Sequence, residues 1–226
     1  MSCEFQYLCC EEDCEHPCCD WQASVKDLLR NSKLPKNQWK YHALRPDNED
    51  DARAFDHLKD ISDNILDIIH DETEPNNLII CSNRVGNGKT TWAIKILQSY
   101  CASIASDCYM KDNQRVLFVP TNQFILDAKD FNGPYRQRYY DMSALADTSD
   151  IVVWDDIGAA DYSKIDYTHL LVAIDRRVFA GKYNIFTTNF TEKSDAFIER
   201  VGSRLADRIW ESSEVVEIKG KGLRGC

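Results

Sequence analysis

The string SNRVGNGKTTW (82–92) holds the residues of this chain best suited to grip a row of phosphates. Gly86 and Gly88 free the backbone to turn its N–H groups inward around an anion. Lys89 adds a long cationic arm for the terminal phosphates, and Thr90 a hydroxyl for a magnesium ion. The helix that should follow presents its unpaired N–H groups to the same charge. The candidate contacts are Asn83, Val85, Gly86, Asn87, Gly88, Lys89, Thr90 and Thr91. Asn83 stands where such loops carry their first glycine. A tight turn with positive φ suits that place, and asparagine tolerates left-handed backbone better than most residues. The departure weakens the pattern more than the chemistry.

A phosphate grip hydrolyses nothing by itself; it needs acid at the end of a neighbouring strand. IVVWDD (151–156) offers four apolar residues and then Asp155 and Asp156. Asp155 is the candidate to hold Mg²⁺, directly or through water, and Asp156 to polarise an attacking water. Paired acids also cap strands without further purpose. NIFTTN (184–189) ends in Asn189, placed to orient water against the terminal phosphate, although Thr-Asn is a common turn signal too. GSRLADRIW (202–210) sets Arg204 and Arg208 one helical turn apart. Such arginines can reach a neighbouring subunit's nucleotide as fingers, or simply line a solvated face.

These residues need an α/β scaffold, and the patterning supplies one. NLIIC (77–81), RVLFV (115–119), DIVVWDD (150–156), NIFTTN (184–189) and VVEI (215–218) read as strands. Helices are expected over 91–105, 167–182 and 202–210. Alternation of this kind implies a parallel sheet covered by helices. Ahead of it, Phe55, Leu58, Ile61, Ile65, Ile68 and Ile69 share one face of an amphipathic helix whose first turn is acidic.

The 226 residues suffice for one well-buried domain and a small appendage, and three zones appear. Residues 1–20 form a cysteine-rich tip with six acids and no Lys or Arg. Residues 21–46 form a basic linker with six bases and one acid, and one short helix near 24–30. Residues 47–226 form the α/β domain, its first 28 residues carrying eleven acids. A net charge of −10 excludes a bulk nucleic-acid coat, though local basic segments remain. No apolar run approaches the roughly 20 residues of a bilayer span, and MSCEFQYLCC lacks a signal-peptide pattern, so a cytoplasmic protein is expected. Trp21, Trp39 and Tyr41 among the linker lysines suit DNA stacking or a partner groove. FNGPYRQRYY (131–140) is a second such patch. Its Arg136, Arg138, Tyr139 and Tyr140 suit contact with single-stranded DNA, or a solvated loop with its aromatics against the core.

GNGKTTWAIKIL, IVVWDDIG, NIFTTN, GSRLADRI and EIKGKGLRG together resemble the DnaC/DnaI-type loaders of replicative helicases, in their phage-encoded branch. The transposition ATPases of the IstB type are close relatives and give the alternative reading, a DNA-remodelling ATPase that assists a transposase. The resemblance covers about residues 47–226. It implies an AAA+ ATPase core with five parallel strands ordered 5-1-4-3-2 and no helical lid. It implies ATP and Mg²⁺ on Lys89, Thr90 and the Walker B acids Asp155 and Asp156, with Asn189 as sensor 1. It implies Arg208, or else Arg204, as the finger, and hence self-association through the ATP sites. Asp156 stands where many relatives have glutamate, a shorter acid expected to slow hydrolysis. By the same resemblance the partners are a replicative hexameric helicase, gripped by the N-terminal extension, and single-stranded DNA. No motif identifies the base pocket; residues 42–48 are its nearest candidates.

Six of the ten cysteines fall in the first nineteen residues. In a reducing compartment such a cluster suggests metal before disulfides. Cys3, Cys9, Cys14 and Cys18 are the candidate Zn²⁺ ligands, with Cys10, Cys19 and His16 as alternates. Twenty residues cannot build a core unaided, so bound metal would supply the order. Metal analysis of the purified protein is expected to find about one zinc per chain, and less than about half would overturn the site.

Overall fold

The computed structural model describes residue 8 and residues 20–40, 43–71, 77–105, 115–130, 132–161, 163, 165–211 and 213–220. The five apolar runs become strands β1 (Asn77–Cys81), β2 (Val116–Pro120), β3 (Ile151–Ile157), β4 (Tyr183–Thr188) and β5 (Ser213–Glu217). They form one parallel sheet in the order β2-β3-β4-β1-β5, the expected order read from the other edge. Every residue of β1 is buried. Strands covered on both faces are apolar throughout rather than alternating.

The pleat nevertheless divides the core in two. Leu78 and Ile80 face one cluster with Val116, Phe118, Ile151 and Val153. Ile79 and Cys81 face the other with Leu117, Val119, Val152 and Trp154. The first cluster is covered by α1 (Asp20–Asn31), α2 (Glu49–Asp63), α3 (Ile65–Ile68) and α4 (Lys89–Ile104). The second is covered by α5 (Thr121–Lys129), α6 (Arg136–Thr148), α7 (Thr168–Phe179), α8 (Asp195–Val201) and α9 (Ser203–Trp210).

Three sequence expectations change. The single amphipathic helix breaks at Asn64, whose side chain turns back to Asp60 O (2.9 Å). Such local bonds compete with helix continuation. Phe55, Leu58, Ile61 and Ile65 are buried, whereas Ile68 and Ile69 are only partly so. Next, the second half of FNGPYRQRYY is the start of helix α6 rather than loop, and α5 precedes it. Finally, much of the basic linker packs into the domain. Val25, Leu28 and Leu29 of α1 are buried in the first cluster, and Ser32 O accepts from Phe118 N of edge strand β2 (2.8 Å). Trp39 is buried with its indole N–H on Leu34 O (3.1 Å), and Trp21 donates to Ala102 O (3.1 Å). These two rings serve the fold instead of forming an open stacking surface; Tyr41 lies outside the described residues.

One buried cation ties the helical layer to the sheet. Arg177 on α7 is fully buried, and burial pushes its pKa down to about 9. All five of its N–H groups are used. Nε donates to Asn184 Oδ1 (2.8 Å), and the two terminal nitrogens donate to the carbonyls of Ala146, Ser149, Asp150 and Tyr183. The guanidinium thus joins the end of α6 to the starts of β3 and β4. Arg177→Met keeps the apolar stem but strands those acceptors. It should lower stability by about 3–4 kcal/mol, read as the shift in urea midpoint at constant m-value.

Candidate functional site

The parallel sheet brings the C-terminal ends of β1, β3 and β4 to one edge, where the loop 82–88 joins β1 to α4. Gly86 (φ 78°) and Gly88 (φ 102°) are left-handed, and a Cβ on Gly88 would stand 3.1 Å from Leu44 Cδ1. The backbone angle therefore calls for glycine at 88, and a Cβ there would also press on the Leu44 side chain. Asn83 is different. Among the described residues only Lys33 and Asp156 are non-glycine residues with positive φ, so Asn83 does not make the left-handed turn that its place in the pattern suggested. The turning falls to Gly86 and Gly88, which is why no glycine is needed at 83. Asn83 is also exposed and does not line the cleft, unlike the other candidate loop residues, 85–91.

Ser82 and Asn87 hold the loop in shape. Ser82 Oγ accepts from Arg84 N (3.1 Å) and from the buried Asn87 amide, which also donates to Ile218 O just past β5 (3.0 Å). That segment is fixed in turn by Asp51, whose Oδ1 accepts from Lys219 N and Gly220 N (both 2.8 Å). Gly220 leaves no room for a Cβ, since Asp51 Oδ2 lies 1.8 Å from where it would be. Lys89 Nζ donates to Arg84 O (2.8 Å) and Asn87 Oδ1 (3.4 Å). Burial lowers its pKa, opposed by Asp156 and Asp155.

The acids sit in an irregular part of β3. Its register against β4 shifts between Trp154 and Ile157, and Asp156 adopts φ 63°. Asp155 Oδ1 accepts from two hydroxyls, Thr187 (2.7 Å) and Thr90 (2.8 Å). Desolvation raises the Asp155 pKa against these bonds. Thr187 Oγ1 accepts from Asp156 N (2.8 Å), and Thr121 Oγ1 donates to Asp155 O (2.8 Å). Asn189 Nδ2 donates to Asp156 Oδ1 (3.2 Å), while Asn189 Oδ1 is buried without a protein partner. Lys89, Thr90, Asp155, Asp156 and Asn189 therefore converge, as the sequence suggested. They line one cleft of about 780 Å³, closed on another side by Ala43, Leu44 and Arg45. The volume suits a nucleotide-sized ligand.

The donor set suits a hard cation. A hydroxyl and carboxylates with a phosphate chain beside them match how Mg²⁺ is held, with few protein ligands and the rest from phosphates and water. Among the described residues no group of three or more His, Cys, Asp or Glu side chains is placed to hold a metal unaided. The cysteine tip, with Cys3, Cys9, Cys10, Cys14, His16, Cys18 and Cys19, lies outside the described residues. No described helix is long and apolar enough to cross a membrane.

The arginines are elsewhere. Arg204 and Arg208 are exposed on α9, and neither lines the cleft of its own chain. Arg208 pairs with Asp175 of α7 and lies 3.6 Å from Glu211. On α6, Arg138 forks onto the buried Asp127 carboxylate and stacks over the Tyr135 ring (4.8 Å), and Arg136 lies over Tyr140 (4.8 Å). Tyr135 and Tyr140 remain half-exposed, whereas Tyr139 packs on Phe124.

Sequence reading missed Thr187 and Thr121. Neither belongs to a spacing pattern; Thr187 becomes visible only because residues two apart on a strand share a face with Asn189.

No protein-family model and no curated protein sequence matches the chain. Solved structures do. The crystal structure of the DnaC helicase loader aligns with TM-score 0.56 and 22% identity, over 82% of this chain and 100% of that one. The crystal structure of DnaI gives 0.58 and 15%, over 85% and 95%. The replication initiator DnaA, bound to AMPPCP and single-stranded DNA, gives 0.55 and 17%, over 77% of this chain and 48% of DnaA, so the chain matches about half of that protein. The chain shares its fold with the DnaC helicase loader, with DnaI and with part of DnaA.

Proposed function

We propose that this protein is an ATPase that binds a replicative ring helicase and delivers it onto single-stranded DNA at the initiation of replication. The observation that carries this reading is the convergence of Lys89, Thr90, Asp155, Asp156 and Asn189 on one cleft in a loader-type fold. Lys89 and the amides of the loop bind the β- and γ-phosphates. Thr90 and Asp155 hold Mg²⁺, which when bound neutralises charge on the phosphates. Asp156 accepts a proton from the attacking water, and Asn189, bonded to the Asp156 carboxylate, helps orient that water. Ala43, Leu44 and Arg45 wall the base side.

Arg208, with Arg204 as the other candidate, acts on the nucleotide of a neighbouring copy. Its exposure and its distance from its own cleft suit that role, and hydrolysis then depends on assembly. The chain from Asn189 to the end of β5 is taken up by α8, α9 and β5, which supports a core without a helical lid. The N-terminal extension grips the helicase, ordered by zinc on Cys3, Cys9, Cys14 and Cys18. The half-exposed Tyr135 and Tyr140 rings, each backed by an arginine, offer single-stranded DNA a stacking surface. The DnaA structure, solved with AMPPCP and single-stranded DNA, supports nucleotide and DNA as ligands of this fold.

Lys89→Ala should leave a folded protein whose affinity for a fluorescent ATP analogue falls by about 100-fold. It should also lose ATP-dependent capture of a replicative ring helicase in pull-down. Tight ATP binding by the variant would remove the phosphate role of Lys89. Failure of the unaltered protein to capture helicase, with ATP-dependent filaments on duplex DNA instead, would favour the transposition-type reading.

Arg208→Ala should bind ATP normally but hydrolyse it at least about 100-fold more slowly once assembled on helicase. Unchanged hydrolysis in the complex would exclude the finger role.

A further inference from the structure

Thr121 meets both acids of the cleft only at their backbone carbonyls, whereas Thr187 bonds the Asp155 carboxylate and the Asp156 N–H. Thr187 lies on β4, the strand between β1, which feeds the phosphate loop, and β3, which carries the acids. Its hydroxyl has one proton, and the surroundings decide where that proton points. Asp156 N donates to Thr187 Oγ1 at 2.8 Å, which fixes that oxygen as an acceptor on one side. The hydroxyl proton is then directed to Asp155 Oδ1 at 2.7 Å. The same carboxylate oxygen accepts from Thr90 Oγ1 at 2.8 Å. The path is continuous and has one direction: Asp156 N–H to Thr187, Thr187 O–H to Asp155, with Thr90 O–H arriving from the other side. Thr187 itself is 1% exposed, so its hydroxyl is committed to these two bonds rather than to bulk water.

Two consequences follow from this path. With its proton committed to Asp155, Thr90 keeps its lone pairs for the cleft, where a cation beside the phosphates meets them. Asp155 can aim Thr90 in this way only if its own carboxylate is held still, and Thr187 is the other donor that holds it. The second consequence concerns Asp156. Its φ of 63° is unfavourable for a residue with a side chain and persists only where neighbours enforce it. The bond from its N–H to Thr187 is such an enforcement, and it faces the bond from Asn189 to the Asp156 carboxylate.

We propose that Thr187 is the positioning residue of the cation site: it orients Asp155, and through it the Thr90 hydroxyl, while pinning the backbone of Asp156. The proposal rests on the nucleotide-binding reading above. The hydrogen bonds of the Thr187 hydroxyl go to Asp155 and Asp156 rather than to Lys89 or the glycine loop, so its work is confined to the part of affinity that magnesium adds.

The test is a titration of a fluorescent ATP analogue in EDTA and again in MgCl₂, with thermal melting to confirm folding. Thr187→Val keeps the shape and β-branching and removes both hydrogen bonds. It should bind the analogue in EDTA within about 2-fold of the unaltered protein, but lose about 10- to 100-fold of the gain that Mg²⁺ gives. Thr187→Ser should restore that gain to within about 3-fold, because it returns the hydroxyl. Thr187→Ala serves if the valine variant does not fold and should show the same selective loss. A valine or alanine variant with the full magnesium gain overturns the proposal, as does a serine variant that fails to recover it. Parallel loss in EDTA and in Mg²⁺ would show a general packing role and also overturn it. Absence of nucleotide binding by the unaltered protein under both conditions is a distinct result, which removes the nucleotide-site reading itself.

Discussion

The hydrogen bond from Thr90 to Asp155 spans sixty-five residues of sequence, and the site depends on it. It closes only because the strands run parallel. Parallel crossovers return every strand in the same direction, so the C-terminal ends of β1, β3 and β4 collect at one edge of the sheet. Since β4 lies between β1 and β3, the phosphate loop and the acids meet across the width of one intervening strand. That strand and the residue directly after it contribute Thr187 and Asn189, two residues apart. A slip of one residue in β4 would turn both away and leave the Asp155 carboxylate with a single donor.

The charges of the cleft are settled by dipoles more than by ion pairs. Lys89 rests on a carbonyl and an amide oxygen, Asp155 on two hydroxyls, and Asp156 on the Asn189 amide. Buried charge without partners is costly, and neutral donors and acceptors meet that cost without cancelling the charge. Lys89 therefore remains available to phosphate, and the acids to a cation. The supports of these groups reach well outside the cleft. Asn87 ties the loop to Ile218, and Asp51 at the start of α2 ties Lys219 and Gly220. The acidic first turn of α2 thus does more than complement a helix dipole: one of its carboxylates holds the segment on which the phosphate loop leans.

Much of this was legible in the sequence because its signals are local. Short apolar runs gave the strands, and the glycine-lysine-threonine string gave the loop. The paired acids after IVVW gave the second half of the site. What escaped depends on contacts between distant elements. Thr187 is an ordinary strand residue until β3 is laid beside it. Trp39 looks like an exposed aromatic among lysines until α1 and α4 enclose it. Asn83 was expected to turn the chain because a pattern places glycine there, yet the positive φ values fall at Gly86 and Gly88. Helices α5 and α6 carry mixed, weakly periodic sequences, and Tyr135, Arg136 and Arg138 combine in one stretch the features of a loop and of a helix start.

Backbone geometry also explains why aspartate rather than glutamate stands at 156. The shift in register between β3 and β4 puts this residue at φ 63°, a region in which aspartate and asparagine are several-fold enriched over longer side chains. A short acid bonded to Asn189 at 3.2 Å suits that backbone, with its carboxylate held close to the strand. Glutamate would add a methylene and a rotatable bond at a position already strained, and its carboxylate would no longer meet the Asn189 amide where that amide now lies. A shorter reach toward water is the cost of this arrangement and a fixed orientation its gain.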